Sequence, residues 1–260
     1  MPTVTPGQGQ PASNHSKRNT QQVISTAEAP RAAALSTIVA EPRWVATETG
    51  FNFPVAPDSF GYRIAKRAMD ILGGCCALLL FGPIMLTAAV LVKLQDGGRV
   101  IFVQERVGRG GRLFKCLKFR TMVHNAEAIQ HTILELNHHR DPRTFKVKRD
   151  PRITRVGHYL RRLSIDEFPQ LWNVIRGDMS LVGPRPPLPQ EVSQYTELDI
   201  QRLEVKPGLT CLWQISGRGD LPFDKQILLD IEYIENRGVW YDMRLILRTI
   251  PVILTSKGAY

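Results

Sequence analysis

The run ILGGCCALLLFGPIMLTAAVLV, residues 71–92, is 22 residues long and carries no charge. That length suffices for one helix to cross a bilayer. Two features favour another path. Pro83 sits near the middle, directly after Gly82. Proline removes a backbone donor and crowds the preceding turn, which predicts a bend or break there. Both flanks are basic, with Arg63, Lys66 and Arg67 before the run and Lys93 and Arg99 after it. Positive charge stays cytoplasmic, which puts both ends on one side. Each arm, about 10–12 residues or roughly 15–18 Å of helix, matches one leaflet. A re-entrant hairpin broken at Gly82-Pro83 is therefore the favoured reading. A straight span is the runner-up, because proline is tolerated in membrane helices. A buried helix of a soluble protein fits less well, since no face of the run is polar.

Outward from this run the chain divides in three. Residues 1–57 are rich in Pro, Ser, Thr, Ala, Gln and Asn without apolar period, and read as a disordered tail. Residues 58–97 form the membrane-embedded segment. Residues 98–260 alternate short strand and helix patterns and read as a cytosolic domain. The expected class is α+β and mainly helical, with a β-hairpin and amphipathic interfacial helices. No basic stretch followed by an apolar core opens the chain, so no cleavable signal peptide is expected.

The 260 residues carry a net charge of +10, which calls for anionic partners. Nucleic acid would explain the charge but not the apolar run, and no nucleic-acid motif is present. Cys75, Cys76, Cys116 and Cys211 form no C-x-x-C pair, which argues against zinc and fits a reducing compartment.

Within 98–260, Val100–Val103 and Leu113–Phe119 read as strands joined by a turn at Gly108-Arg109-Gly110-Gly111. Lys118 and Arg120 fall on one face of the second strand, as a solvated basic edge or as phosphate contacts. Residues 123–139 read as a helix whose His124, His131 and His138 lie too far apart to share a metal. The stretch Arg161-Arg162-Leu163-Ser164-Ile165-Asp166-Glu167 puts two adjacent carboxylates beside two arginines. By itself it reads equally as a solvated acidic pair or as a phosphoryl-transfer kit. Phe168, Leu171, Trp172, Val174 and Ile175 recur at helical spacing and read as core. Pro184-Arg185-Pro186 aims an arginine from a rigid loop, suited to bidentate phosphate binding. Glu191–Val205 and Phe223–Ile234 read as helices. The segment from Val239, with Trp240, Tyr241 and interspersed basic residues, suits either a membrane interface or packing on the domain core.

Several of these motifs occur together, in order. They are Gln104-Glu105-Arg106-Val107-Gly108, Lys118-Phe119-Arg120-Thr121-Met122, Asp150-Pro151-Arg152-Ile153-Thr154, Asp166-Glu167, Gly177-Asp178-Met179-Ser180, Gly183-Pro184-Arg185-Pro186 and Lys206-Pro207-Gly208-Leu209-Thr210. In this set the chain resembles the bacterial sugar transferases, the monotopic phosphoglycosyl transferases of small type, over about residues 60–255. The resemblance implies transfer of a hexose-1-phosphate from a UDP-sugar to polyprenyl (undecaprenyl) phosphate, with release of UMP. It implies Asp166 as nucleophile and Glu167 as the ligand of Mg²⁺. It implies Lys118, Arg120, Arg161, Pro184, Arg185 and Pro186 as the phosphate-binding set. It further implies the cytoplasmic face of the bacterial inner membrane as location, the lipid bilayer as a partner, and a role in starting exopolysaccharide, capsule or O-antigen synthesis. A homo-oligomer is left open. Residues 213–218, WQISGR, resemble members that use UDP-glucose or UDP-galactose. Three departures stand out: Gly82 where the family often has Ser, Gln95-Asp96-Gly97-Gly98 where a proline-containing turn is common after the membrane helix, and Cys211 where it often has Gly. If position 211 needs a positive φ, cysteine would be strained there. The alternative reading is a non-catalytic membrane-surface module that organises other glycan-assembly enzymes; the acidic pair within a basic surface argues against it.

Overall fold

The computed structural model describes residues 45–47, 50–52, 58–126, 147, 150–218 and 221–255. The helix expected at 123–139 lies outside them beyond Ala126, together with His131 and His138; residues 124–126 form a turn. Within the stretch read as a tail, Val45–Thr47 (β1) and Gly50–Asn52 (β2) pair as a short antiparallel hairpin.

The apolar run forms the middle of α1 (Phe60–Asp96), a single helix of 37 residues, about 55 Å long at helical rise. The Ser59 side chain caps its start by accepting from the Tyr62 N–H. Gly97, in the left-handed region at φ 69°, ends it by donating its N–H to the Lys93 carbonyl. Of the bend or break expected at Pro83, the break is corrected here: the helix continues through it. Proline removes one N–H and hence one ladder bond, and the remaining bonds on both sides hold the helix. The Thr87 hydroxyl donates to the Pro83 carbonyl at 3.0 Å. Much of the helix surface is apolar and exposed, including Leu72, Leu80, Leu86 and Leu79, the last 81% exposed.

One domain grips α1 from end to end. Near the start, the Arg67 guanidinium donates to the Val174 and Ile175 carbonyls at the end of α3 (Gln170–Arg176), where a cation complements the helix terminus. Buried Asp70 accepts from the Ser180 hydroxyl at 2.8 Å and from the Leu181 N–H at 3.0 Å. Hydrogen bonds to a charged group contribute about 1.5–3 kcal/mol each. Lys66 pairs with buried Asp242 and donates to the Val182 carbonyl. Midway, the Phe81 and Phe168 rings stand 4.8 Å apart. Near the end, Ala88 and Val92 share a core with Phe119 and Leu160. Gln95 accepts from the Val156 N–H, and Asp96 pairs with Arg120.

β3 (Ile101–Val107) and β4 (Leu113–Phe119) form the expected hairpin, in register from Ile101↔Phe119 to Val107↔Leu113. Its turn bends through Gly110 and Gly111 at φ 66° and 84°. α2 (Arg155–Arg162) is capped by Thr154, which accepts from the Gly157 N–H at 3.0 Å. β5 (Ser180–Val182) and β6 (Gly208–Thr210) form a short parallel pair. Gly183 and Gly208 touch backbone to backbone there; a Cβ on Gly208 would collide with Gly183 N and O.

The single helix expected over Glu191–Val205 is also corrected. α4 (Pro189–Val192), α5 (Glu197–Ile200) and a 3₁₀ turn at Gln201–Glu204 replace it. The Thr196 side chain accepts from the Asp199 N–H while Asp199 accepts from the Thr196 N–H, so a new helix starts at that point. α6 (Leu212–Ser216), α7 (Phe223–Asn236) and α8 (Val239–Thr255) follow. The core reading of the last segment holds in part. Leu245 is in the core with Tyr233 and Val182, whereas Trp240 is 82% exposed, with Met243, Leu247 and Ile250 also exposed. Trp172, read as core, is 56% exposed, while its helix neighbours Leu171 and Val174 are buried.

Candidate active site

Asp166 and Glu167 sit on a 3₁₀ turn, Ile165–Glu167, between α2 and α3. Ser164 enters the turn in the left-handed region at φ 56°, a conformation that a non-glycine residue holds only at a cost. Pro169 then sets up α3 with its fixed φ. The turn presents both carboxylates to a cleft of about 1040 Å³.

Each flanking cation comes from a different element. Lys118 on β4 donates to Glu167 Oε1 at 2.7 Å. That meeting depends on buried Asn173, which docks α3 on β4. Its Oδ1 accepts from the Leu117 N–H at 3.1 Å, and its Nδ2 donates to the Lys115 carbonyl at 2.8 Å. Arg161, in the last turn of α2, donates from Nε to Thr121 Oγ1 at 3.0 Å. Arg152 chelates Asp150, with Nε–Oδ1 at 2.9 Å and Nη2–Oδ2 at 2.7 Å. The Arg185 loop is fixed from two sides. Gly208 N–H donates to the Pro184 carbonyl at 2.8 Å, and buried Arg106 donates from Nη1 to the Pro186 carbonyl at 2.9 Å. Pro184 and Pro186 are buried, while Arg185 is exposed and makes no hydrogen bond or ion pair among the described residues.

Opposing effects set the protonation of the pair. Asp166 is 8% exposed. Burial first, then the Glu167 charge, raises its pKa to about 6, against the pull of Lys118 and Arg161. For Glu167 burial also pushes upward, but Lys118 and Arg185 outweigh it and hold the carboxyl well below its ordinary range. Glu167 is thus the anion, and its 24% side-chain exposure faces the cleft. The two carboxylates offer the hard oxygen ligands that Mg²⁺ takes. No group of three or more His, Cys, Asp or Glu with metal-binding geometry occurs among the described residues. A cation here would complete its shell from water and substrate phosphates, as Mg²⁺ commonly does. The residues fit Mg²⁺ on those terms.

The cleft has two characters. Lys118, Asp150, Arg161, Asp166, Glu167 and Arg185 line a polar floor. Met69, Leu72 and Phe81 of α1, with Met243, Ile246 and Ile250 of α8, line an apolar wall. The lining thus combines cations and carboxylates with apolar side chains.

The structure brings Lys118, Arg161, Asp166, Glu167 and Arg185 to this one cleft. It does not bring Arg120, which pairs with Asp96 at the end of α1 and lies outside the cleft lining. The Arg120 N–H still donates to the Val100 carbonyl at 2.9 Å, so the strand pairing reaches this residue, but Asp96 claims its side chain. Gly82 and Pro83 stay on α1, away from the cleft lining. Cys211 lies in extended backbone at φ −143°, so the departure there brings no strain. Sequence reasoning missed Asn173 and the Asp150–Arg152 pair as site-building residues. A polar residue between buried helical positions was the available signal for Asn173.

A family model described as bacterial sugar transferase matches residues 61–256. The chain belongs to the bacterial sugar transferase family. It is 40% identical over 222 residues to the exopolysaccharide production protein ExoY of Rhizobium meliloti (strain 1021), covering 84% of this chain and 96% of that protein. It is 43% identical over 205 residues to the UDP-galactose-lipid carrier transferase of Erwinia amylovora, covering 76% of this chain and 42% of that one. It is 39% identical over 206 residues to the UDP-glucose:undecaprenyl-phosphate glucose-1-phosphate transferase of Caulobacter vibrioides (strain ATCC 19089 / CIP 103742 / CB 15), covering 76% of this chain and 72% of that one. The motif resemblance therefore holds at the level of the family.

The placement of the two strand-end cations separates their roles. Lys118→Ala should cut sugar-transfer activity by about 100-fold or more, the scale for losing a charge-stabilising donor. Arg120→Ala should leave activity within about threefold of wild type while lowering Tm by a few degrees, as a lost partly buried ion pair does. Equal loss of activity in the two variants would contradict this placement.

Proposed function

We propose that this chain transfers hexose-1-phosphate, with glucose or galactose favoured, from a UDP-hexose to undecaprenyl phosphate. The step would open exopolysaccharide, capsule or O-antigen assembly. The observation that carries the reading is the Asp166–Glu167 pair on the polar floor of a cleft whose other wall is apolar. A soluble phosphorylated donor suits the floor, and a lipid-borne phosphate suits the junction of floor and wall. Relatives named for UDP-galactose and for UDP-glucose support a hexose donor.

In this mechanism an Asp166 carboxylate oxygen attacks the sugar-side phosphorus. The bond from that phosphorus to the bridging oxygen breaks, and UMP leaves with the electron pair. The hexose phosphate is then held on Asp166. An oxygen of undecaprenyl phosphate attacks the same phosphorus, the aspartyl bond breaks, and the carboxylate is regenerated. Dividing the transfer lets one cleft serve two dissimilar substrates in turn. Glu167 would hold Mg²⁺, which neutralises charge on the donor diphosphate when bound. Lys118, Arg161 and Arg185 are placed to stabilise the oxyanions of the transferring group.

The reading also places α1 in the cytoplasmic leaflet of the inner membrane, entering and leaving on one side, with Pro83 as the point where the unbroken helix would bend. Its length and hydropathy suit a membrane. Its two ends grip the same domain, through Arg67 and Asp70 at one end and Gln95 and Asp96 at the other. That arrangement supports a same-side path over a straight span.

Purified protein in detergent, given Mg²⁺, undecaprenyl phosphate and UDP-glucose or UDP-galactose, should release UMP. Asp166→Asn should reduce release at least 1000-fold while remaining folded. Silence with both donors and with N-acetylhexosamine donors, in protein that still binds membranes, would favour the non-catalytic membrane module. For the topology, Gly61→Cys and Arg99→Cys, each in a background with Cys75 and Cys76 replaced by Ser, should both be labelled only from the cytoplasmic side. Labelling from opposite sides would make α1 a spanning helix.

A further inference from the structure

We infer that Arg218 is a phosphate-binding residue of the cleft, acting alongside the arginine of the proline loop. Arg218 follows α6 and Gly217 and lines the cleft that holds Asp166 and Glu167. The other cations of the cleft divide sharply. Lys118 is bound to Glu167, Arg161 to Thr121 and Arg152 to Asp150. Arg185 and Arg218 donate no side-chain hydrogen bond and join no ion pair among the described residues. Arg218 is not a solvated surface arginine, for it is half-buried. Its backbone lies in the left-handed region at φ 51°, which among the described non-glycine residues occurs elsewhere only at Ser164, next to the carboxylate turn.

Two costs thus converge on one residue. A guanidinium is partly taken out of water without a hydrogen-bond partner, and an arginine is held where glycine would be easier. Among the described residues no hydrogen bond or ion pair of the side chain offsets either, although the Glu167 charge favours the charged guanidinium. An oxyanion in the cleft would offset both, because a guanidinium binds phosphate oxygens bidentately. The nearby carboxylate, Glu167, would share the field of Arg218 with that ligand. Strained backbone of this kind gathers at ligand clamps.

The location narrows the ligand. Trp213 and Ile215 of α6, just before Arg218, join the same cleft lining as Met243, Ile246 and Ile250 of the apolar wall. The chemistry is a phosphate oxyanion in a cleft lined by both polar and apolar side chains. The donor diphosphate and the lipid-borne phosphate both present one. The inference rests on the transfer reading for which phosphate is bound, while the cleft geometry is independent of it.

The left-handed backbone supplies the test. Arg218→Gly removes the guanidinium and relieves the strain together. A merely structural arginine would lose stability on this change; a ligand-binding one should keep or gain it. Binding of UDP and of a short-chain prenyl phosphate is measured by calorimetry in detergent, beside Tm. The expected result is an unchanged or higher Tm with at least tenfold weaker binding of one of the two probes. Arg218→Lys, which keeps the charge, should recover part of that affinity. Weakened UDP binding assigns Arg218 to the donor, and weakened prenyl phosphate binding assigns it to the acceptor. Affinities within threefold for both probes, or a Tm that falls with the affinity, would overturn the inference. If wild type binds phosphate and Arg218→Gly does not, yet wild type turns over no UDP-sugar, the transfer reading fails and the phosphate site stands. If wild type binds neither probe, both fail.

Discussion

Two carboxylates on consecutive residues of a buried turn repel each other and resist leaving water. The structure keeps at least one ionised only by surrounding the pair with cations, Lys118 closest at 2.7 Å from Glu167. Coulomb attraction at that distance, in partly dry protein, outweighs the cost of burial for Glu167. It falls short for Asp166, which is more buried and faces the Glu167 charge as well. The pair is therefore split into a fixed anion and a neighbour whose charge depends on what enters the cleft.

Much of the fold serves that placement. The β3–β4 hairpin carries Lys118, and Asn173 locks β4 to the helix that follows the carboxylates. The backbone contact of Gly183 with Gly208, together with the grip of Arg106 on the Pro186 carbonyl, sets the loop that bears Arg185. α1 belongs to the same assembly: the Phe81 ring packs at a tilt against that of Phe168, the residue directly after Glu167. The longest apolar element of the chain is thus in contact with the turn where chemistry would occur. Its polar anchors, Lys66, Arg67 and Asp70, bind the domain, and its leucines stay exposed.

The parts of this arrangement legible in the sequence were those with short-range causes. Adjacent carboxylates, an arginine between prolines, a glycine turn between two β patterns and a 22-residue apolar run each carry their own reason. What escaped were the long-range choices. Alternation put Arg120 beside Lys118, but Asp96, 24 residues earlier, claims the arginine. Glu191–Val205 has helical period, yet the local box of Thr196 and Asp199 restarts the helix. Trp172 has core spacing but faces outward, because α3 buries a narrow stripe. The effect of Pro83 was overstated: one missing N–H weakens a long helix without ending it.

In the proposed transfer, Asp166 would bond covalently to the transferred phosphosugar. The most direct measurement is intact-protein mass spectrometry after incubation with Mg²⁺ and UDP-hexose, with the lipid acceptor withheld. The account predicts a mass increase of one hexose phosphate, mapped to the peptide containing Asp166. It also predicts loss of the adduct on adding undecaprenyl phosphate, and no adduct in Asp166→Asn. Full turnover by wild-type protein with no adduct at any time, or an adduct that survives in Asp166→Asn, would contradict it.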